Sequence, residues 1–377
     1  MGPWAFLPGA GQLINREGME KRMRKEKIRI WEAEEYSYGM AYGFVPNLTA
    51  YLHEEADGPR PCMIVVPGGA YSFASIREGQ PVAERFYGMG YNAFVLTYTC
   101  NPLRMEPLRL QPLRDLARAV RLLRKEADRL EIDPDRIAVC GFSAGGHLTA
   151  SLAVHGRDVY EDNPVYRDYS CRPDALVLSY PVITAEPGLT HADSIKALLG
   201  YNRPEEDAAA AVISRKGALP GCRTPEDEMR YMSLETQVCP DTPPVYIWHT
   251  LPDDSVPVEN TFRFEQALRE KGVLHSMHIY SHGVHGLSLA DQAWADRACK
   301  ADYTLEQVGR VMEQLDAGHI PMKEEEKDFW MREYLYGPYA GEKEKGVPVP
   351  EVQGWPEMAH DFLRYVFGLD REPVQQT

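Results

Sequence analysis

The stretch Ile137–His155 reads IAVCGFSAGGHLTASLAVH. A short apolar run leads into Gly141-Phe142-Ser143-Ala144-Gly145, and a segment of helical character follows. Between a strand and a helix, G-x-S-x-G places its serine on a sharp, strained turn. Glycines two positions to either side let neighbouring chains pass close to that turn. The turn lifts the Ser143 hydroxyl above the sheet edge. The helix aims its N-terminus at the same place, where negative charge is favoured. A chance Gly/Ser turn would lack these two flanks, so Ser143 is the candidate nucleophile.

Outward from this stretch, apolar runs of strand length recur at Cys62–Pro67, Asn92–Tyr98 and Ala175–Tyr180. Pro244–His249 and Leu274–Tyr280 also read as strands. Continuous rather than alternating hydrophobicity fits strands covered on both faces, as in a parallel sheet. Gln111–Leu130 carries apolar residues three and four apart, one helical stripe, and stops before the turn signal Asp133-Pro134-Asp135. Strand and helix alternate, which predicts an α/β fold with a mostly parallel, doubly wound sheet. Ile28–Tyr51 reads as short strands with turns. Residues 1–26 are polar and aperiodic, an N-terminal arm, and residues 27–377 form the domain. Two stretches break the rhythm, at about 184–241 and 291–350. Both are long for loops, which predicts inserted helices or a lid.

A serine hydroxyl needs a base, and in this architecture the partners follow in the order Ser, Asp/Glu, His. Asp253 and Asp254 lie just past the strand Pro244–His249. His282 and His285 lie on a Gly-flanked loop past Leu274–Tyr280. Spacing leaves both pairs open. The backbone N–H of Ala144 is one expected donor to an oxyanion, and the loop Gly68-Gly69-Ala70-Tyr71 after the strand Cys62–Pro67 is the place for others. Tyr71 and Phe73 on that loop are candidates for the acyl pocket.

PGGAYSF, GFSAGGHLTA, TPPVYIWHT with DDSVPVEN, and HIYSHGVHGLSLA together resemble the α/β-hydrolase carbohydrate esterases. That family includes acetyl xylan esterases and bifunctional acetyl/feruloyl esterases, and is similar to the hormone-sensitive-lipase and prolyl-oligopeptidase-like hydrolases. The resemblance covers Ile28–Ala290 and Trp355–Gly368. It implies an α/β-hydrolase fold with inserted cap helices. It also implies Asp253 as the acid, within D-x-x-V-P, His285 as the base, and Gly69, Ala70 and Ala144 as oxyanion donors. The implied substrate is a short-chain ester, acetyl foremost, of a sugar or xylo-oligosaccharide, with no cofactor. The chain departs from the family at Ala70, where a Gly is common, and in extra length at 205–230 and 291–350. A general carboxylesterase or a serine peptidase/amidase would use the same triad, and a silent binding protein would need a blocked pocket.

Composition narrows the partners. The chain has 377 residues with 41 Lys and Arg against 56 Asp and Glu, a net charge of −15. A field of that sign opposes nucleic acid and anionic lipid as partners. No apolar run of about 18 residues spans a membrane, and the N-terminus lacks a signal-peptide layout. Seven scattered Cys without a CxxC pair read as free thiols in a reducing compartment, so the expected address is cytoplasmic. A homo-oligomer is compatible with the sequence. His278, His282 and His285 lack the clustered Cys or carboxylates of a metal site, and none is expected. His147 reads as a packed core residue and His249 as structural. Phe329, Trp330, Tyr334, Tyr336 and Tyr339 read as a lid core, and Glu324–Asp328 as a solvated helix face.

Overall fold

A computed structural model describes residues 23–370 apart from 33, 55–57, 206, 208, 216–217, 300–303 and 337–345. Eight strands form one sheet: β1 (Met23–Arg29), β2 (Asn47–His53), β3 (Arg60–Val66), β4 (Asn92–Thr97), β5 (Ile132–Phe142), β6 (Ala175–Ser179), β7 (Val245–Thr250) and β8 (His275–Tyr280). Their spatial order is β1-β2-β4-β3-β5-β6-β7-β8. β1 pairs antiparallel with β2, and β2 with β4; every other pairing is parallel. The central strands are buried along nearly their whole length, which is why they read as unbroken apolar runs.

Helices cover both faces. On one side α2 (Gln111–Lys125), α3 (Ser143–His155) and α6 (Glu259–Glu270) pack against Leu48, Ile64, Val139 and Leu176. On the other, α1 (Gln80–Gly88) and α9 (Trp355–Val366) enclose Val65, Tyr180, Trp248 and Phe142. The fold is the doubly wound α/β-hydrolase arrangement. Both insertions hold helices of their own. The first carries α4 (Ala192–Leu199) and α5 (Pro225–Tyr231). The second carries α7 (Glu306–Asp316) and α8 (Glu324–Met331), which close a third apolar cluster with Met40, Leu103 and Tyr334. Tyr334 is buried and Trp330 packs against the cluster, whereas Phe329 is 51% exposed. Tyr339 and the Tyr336 side chain lie outside the described residues. Glu324, Glu325 and Glu326 are solvent-exposed.

Two boundaries move. Residues 23–26 do not belong to an arm, because β1 begins at Met23. Residues 1–22 lie outside the described residues. The Asp133-Pro134-Asp135 signal does not precede the strand but sits within β5, where the register with β3 slips between Arg60 and Cys62. Asp133 accepts there from the amide of Asp135, so the turn chemistry is real but is spent on an irregular strand entry.

Candidate active site

Ser143 stands at the junction of β5 and α3 with φ +51. A left-handed backbone at a serine stores strain, which persists only where the surroundings enforce it. A Cβ at Gly145 would collide with the carbonyl oxygens of Val66 and Pro67, and one at Gly141 with Thr149 and the Gly145 carbonyl. Only glycine lets β3 and the first turn of α3 approach so closely.

The loops that follow β7 and β8 bring two partners to Ser143. Ser143 Oγ lies 2.8 Å from His285 Nε2, and His285 Nδ1 lies 2.7 Å from Asp253 Oδ2. A carboxylate only accepts, so Nδ1 carries the proton and Nε2 is left to accept from the serine hydroxyl. The Asp253 side chain is fully buried. Burial pushes its pKa up, but hydrogen bonds from His249 and His285, the charge of His285 and the Val256 amide hold it well below the ordinary carboxylate range. The pairs that spacing left open separate here. His282 is 79% exposed and bonds Glu351, and Asp254 faces solvent.

The loop after β3 runs against the nucleophile: a Cβ at Gly68 would sit 2.9 Å from Ser143 Cβ. Gly69, Ala70 and Tyr71 take φ of +117, +55 and +58. This turn ties the amides of Ser72 and Phe73 to the Gly69 carbonyl. The Gly68 amide goes to Glu78 at 2.8 Å. The amides of Gly69 and Ala70 meet no acceptor among the described residues. The Ala144 amide belongs to the first turn of α3, where helix geometry provides no acceptor. Three N–H groups are therefore left without an acceptor on the two segments that flank Ser143.

Of the two acyl-pocket candidates, Tyr71 is placed otherwise. Tyr71 is 1% exposed and turns into the core. Its hydroxyl donates to His147 Nδ1 at 2.9 Å, and its ring meets Tyr98 edge-on. The consecutive positive φ angles carry it away from the site. Phe73 is half-buried and packs edge-to-face on Tyr334, so it joins the loop to the second insertion. His147 is a packed residue whose Nε2 donates to the Met232 carbonyl at 3.1 Å. His278 lies on β8, stacked on Tyr246.

His249 is more than structural filler. It is fully buried, accepts from Thr261 Oγ1 at Nδ1 (2.8 Å), and shares its Nε2 proton between Asp253 Oδ2 (3.2 Å) and the Val256 carbonyl (3.0 Å). Its position four residues before Asp253, at a strand end, is the sequence signal. Glu78 and Tyr180 also escaped the sequence reading. The Tyr180 ring meets His285 edge-on at 5.0 Å.

Residues 48–268 match the BD-FAE family model. The chain belongs to the BD-FAE family. That match contains Ser143, Asp253 and the loop after β3, while His285 lies beyond it. The chain is 44% identical over 291 residues to endo-1,4-beta-xylanase B of Butyrivibrio fibrisolvens, covering 77% of this chain and 42% of that one. It is 26% identical over 257 residues to an acetylxylan esterase of Xylanibacter ruminicola, covering 67% and 46%. The chain thus spans under half the length of these two curated relatives. Among solved structures, the acetyl ester-xyloside bifunctional hydrolase of Caldicellulosiruptor lactoaceticus aligns with a TM-score of 0.59 at 36% identity, over 76% of this chain and 97% of that one. No helix among the described residues is long and apolar enough to cross a membrane.

Proposed function

We propose that the protein is a serine esterase that removes short acyl groups, acetyl foremost, from sugars or xylo-oligosaccharides. The reading rests on the hydrogen-bonded line Ser143 Oγ–His285 Nε2, His285 Nδ1–Asp253 Oδ2, at 2.8 and 2.7 Å. His285 takes the hydroxyl proton as Ser143 Oγ attacks the ester carbonyl, and the carbonyl oxygen becomes an oxyanion held by the amides of Gly69, Ala70 and Ala144. As the tetrahedral species collapses, His285 gives its proton to the departing sugar oxygen, leaving an acyl-serine. Water, deprotonated by His285, then attacks the acyl carbonyl; the same donors hold the second oxyanion, and the serine oxygen leaves with the proton. Asp253 fixes the tautomer and stabilises the imidazolium. The residues that do this belong to the chain itself, and no cofactor enters.

The xylan-related names of the BD-FAE relatives support the sugar ester. The scattered cysteine pattern of the sequence, with no CxxC pair, supports a reducing, cytoplasmic setting, where the substrate is an imported oligosaccharide rather than polymer. The test is hydrolysis of nitrophenyl esters from acetyl to octanoyl beside acetylated xylo-oligosaccharides and peptidyl amides, with fluorophosphonate labelling, for wild type and Ser143→Ala. Activity on acetyl esters and acetylated sugar, with labelling, both lost in the variant, is expected. A peak at longer acyl chains with acetylated sugar untouched would make the protein a general carboxylesterase. Amide cleavage would make it a peptidase. Activity retained in pure Ser143→Ala would remove the nucleophile.

A further inference from the structure

Glu78 lies in the turn before α1, 3% exposed, and no basic group forms an ion pair with it among the described residues. A carboxylate buried without a cation is costly and calls for a reason. Its two oxygens face two different parts of the site. Oε2 accepts from the Gly68 amide at 2.8 Å, at the root of the loop that carries Gly69 and Ala70. Oε1 accepts from the Tyr180 hydroxyl at 2.7 Å. That hydroxyl in turn accepts from the Ser288 amide at 3.0 Å, three residues beyond His285. The Tyr180 ring stands edge-on to His285, with 5.0 Å between centroids. Ser288 Oγ donates to the Arg77 carbonyl at 2.5 Å, so the base loop is tied a second time to the segment that bears Glu78. Tyr180 holds φ +38 and Ser288 φ +49, strained values that a loop keeps only when its contacts enforce them.

We infer that Glu78, acting through Tyr180, is a positioning residue that holds the oxyanion loop and the base loop in register on the two sides of Ser143. The inference rests on the serine-esterase reading above. A carboxylate suits this position because its two acceptor oxygens serve donors that approach from opposite ends. An amide offers one acceptor and would turn its NH2 toward one of the two donors. Binding the Gly68 amide also removes it from competition for the oxyanion and fixes the Pro67–Gly68 peptide plane, from which the loop carrying the Gly69 and Ala70 amides starts.

The experiment compares Glu78→Gln, Tyr180→Phe and the double variant with wild type on nitrophenyl acetate. Rates are expressed per site labelled by fluorophosphonate, beside KM and the melting temperature. Misplaced donors and base weaken the transition state alone, so kcat per labelled site should fall roughly 10- to 100-fold with KM nearly unchanged. Both single variants cut one bridge, so the double variant should be no worse than the worse single. A purely structural role would lower the melting temperature and the number of labelled sites and leave kcat per site intact; that result overturns the inference. Multiplying losses in the double variant overturn it as well. Should Glu78→Gln fail to fold, Tyr180→Phe, which removes one hydroxyl and keeps the ring against His285, carries the test. An active wild type with unaffected variants sinks this inference alone. A wild type that neither labels nor turns over sinks the esterase reading and this inference together.

Discussion

Asp253 accepts from four groups: His249 and His285 through their side chains, and Ser255 and Val256 through their amides. Asp254, its neighbour, faces solvent, and spacing could not separate the two because the difference lies in how the loop after β7 folds over its own strand. The His249 contact is chemistry as much as packing. A hydrogen bond to a charged group contributes about 1.5–3 kcal/mol, roughly a tenfold to hundredfold effect if felt in the transition state. His249→Phe should therefore lower kcat about tenfold with KM unchanged. Wild-type kcat per labelled site in the folded variant would reduce His249 to a structural role. His147 gives a different prediction. Complete burial, partly opposed by the Met232 carbonyl, pushes its pKa from 6.5 down to about 4. Between those values the unfolded chain holds more protons, so stability is full above pH 6.5, falls as pH drops toward 4, and changes no further below it. At 1.36 kcal/mol per pH unit the loss is about 3 kcal/mol. Urea midpoints from pH 7 to pH 4 should drop less steeply in His147→Gln than in wild type. Equal slopes would show that the acid sensitivity lies elsewhere.

The elements that were easy to read are those whose burial is uniform. β4 and β6 are buried at every position, so apolar composition alone located them. The start of β1 was hidden because MRKEKIR has no fully buried position and is rich in charge, an ordinary way for a sheet edge to prevent unwanted pairing. The long insertions were recognised from length, but their docking depends on contacts far apart in sequence. α7 supplies the clearest of these. The Gln307 side chain accepts from the Cys100 amide and donates to the Cys100 carbonyl, each at 2.7 Å, as a strand partner would. Tyr334 donates to the Pro102 carbonyl nearby at 2.9 Å. Gln307→Leu leaves two buried backbone groups unsatisfied beside a similar volume of side chain. At about 1–3 kcal/mol for each orphaned group, the urea midpoint should fall clearly and α7 should become cleavable by protease in the native state. An unchanged midpoint would mean that the insertion docks through its apolar cluster alone.

At the scale of the whole molecule, the sheet order explains why residues as distant as 69, 143, 253 and 285 meet. β3, β5, β7 and β8 run parallel, so the loops after them open on one edge, and the candidate site is a property of topology before it is one of side chains. The order of motifs along the chain carried that information, which is why the site was legible in outline. The links from Tyr180 to Glu78 and to Ser288 were not, because they join residues whose proximity only the folded sheet creates; His249 stands four residues before Asp253, so its place was visible, but the direction of its ring is set by how the loop folds back. Charge acts on the same scale. With 56 acidic against 41 basic residues the molecule carries −15, a field that repels anions and leaves neutral sugars unaffected. The Debye length shrinks from about 30 Å at 0.01 M salt to about 8 Å at 0.15 M, so such a field reaches a substrate only in dilute buffer. On the proposed esterase reading, kcat/KM for a neutral acetylated xylo-oligosaccharide should stay flat over that range. For an analogue bearing a uronic acid it should rise several-fold as salt is added, because screening removes the repulsion. A flat response for both substrates would mean that local basic groups offset the net charge at the mouth of the site. A fall with salt for the acidic sugar would mean that the site attracts the carboxylate, and that the decorated oligosaccharide, rather than the neutral one, is the better fit.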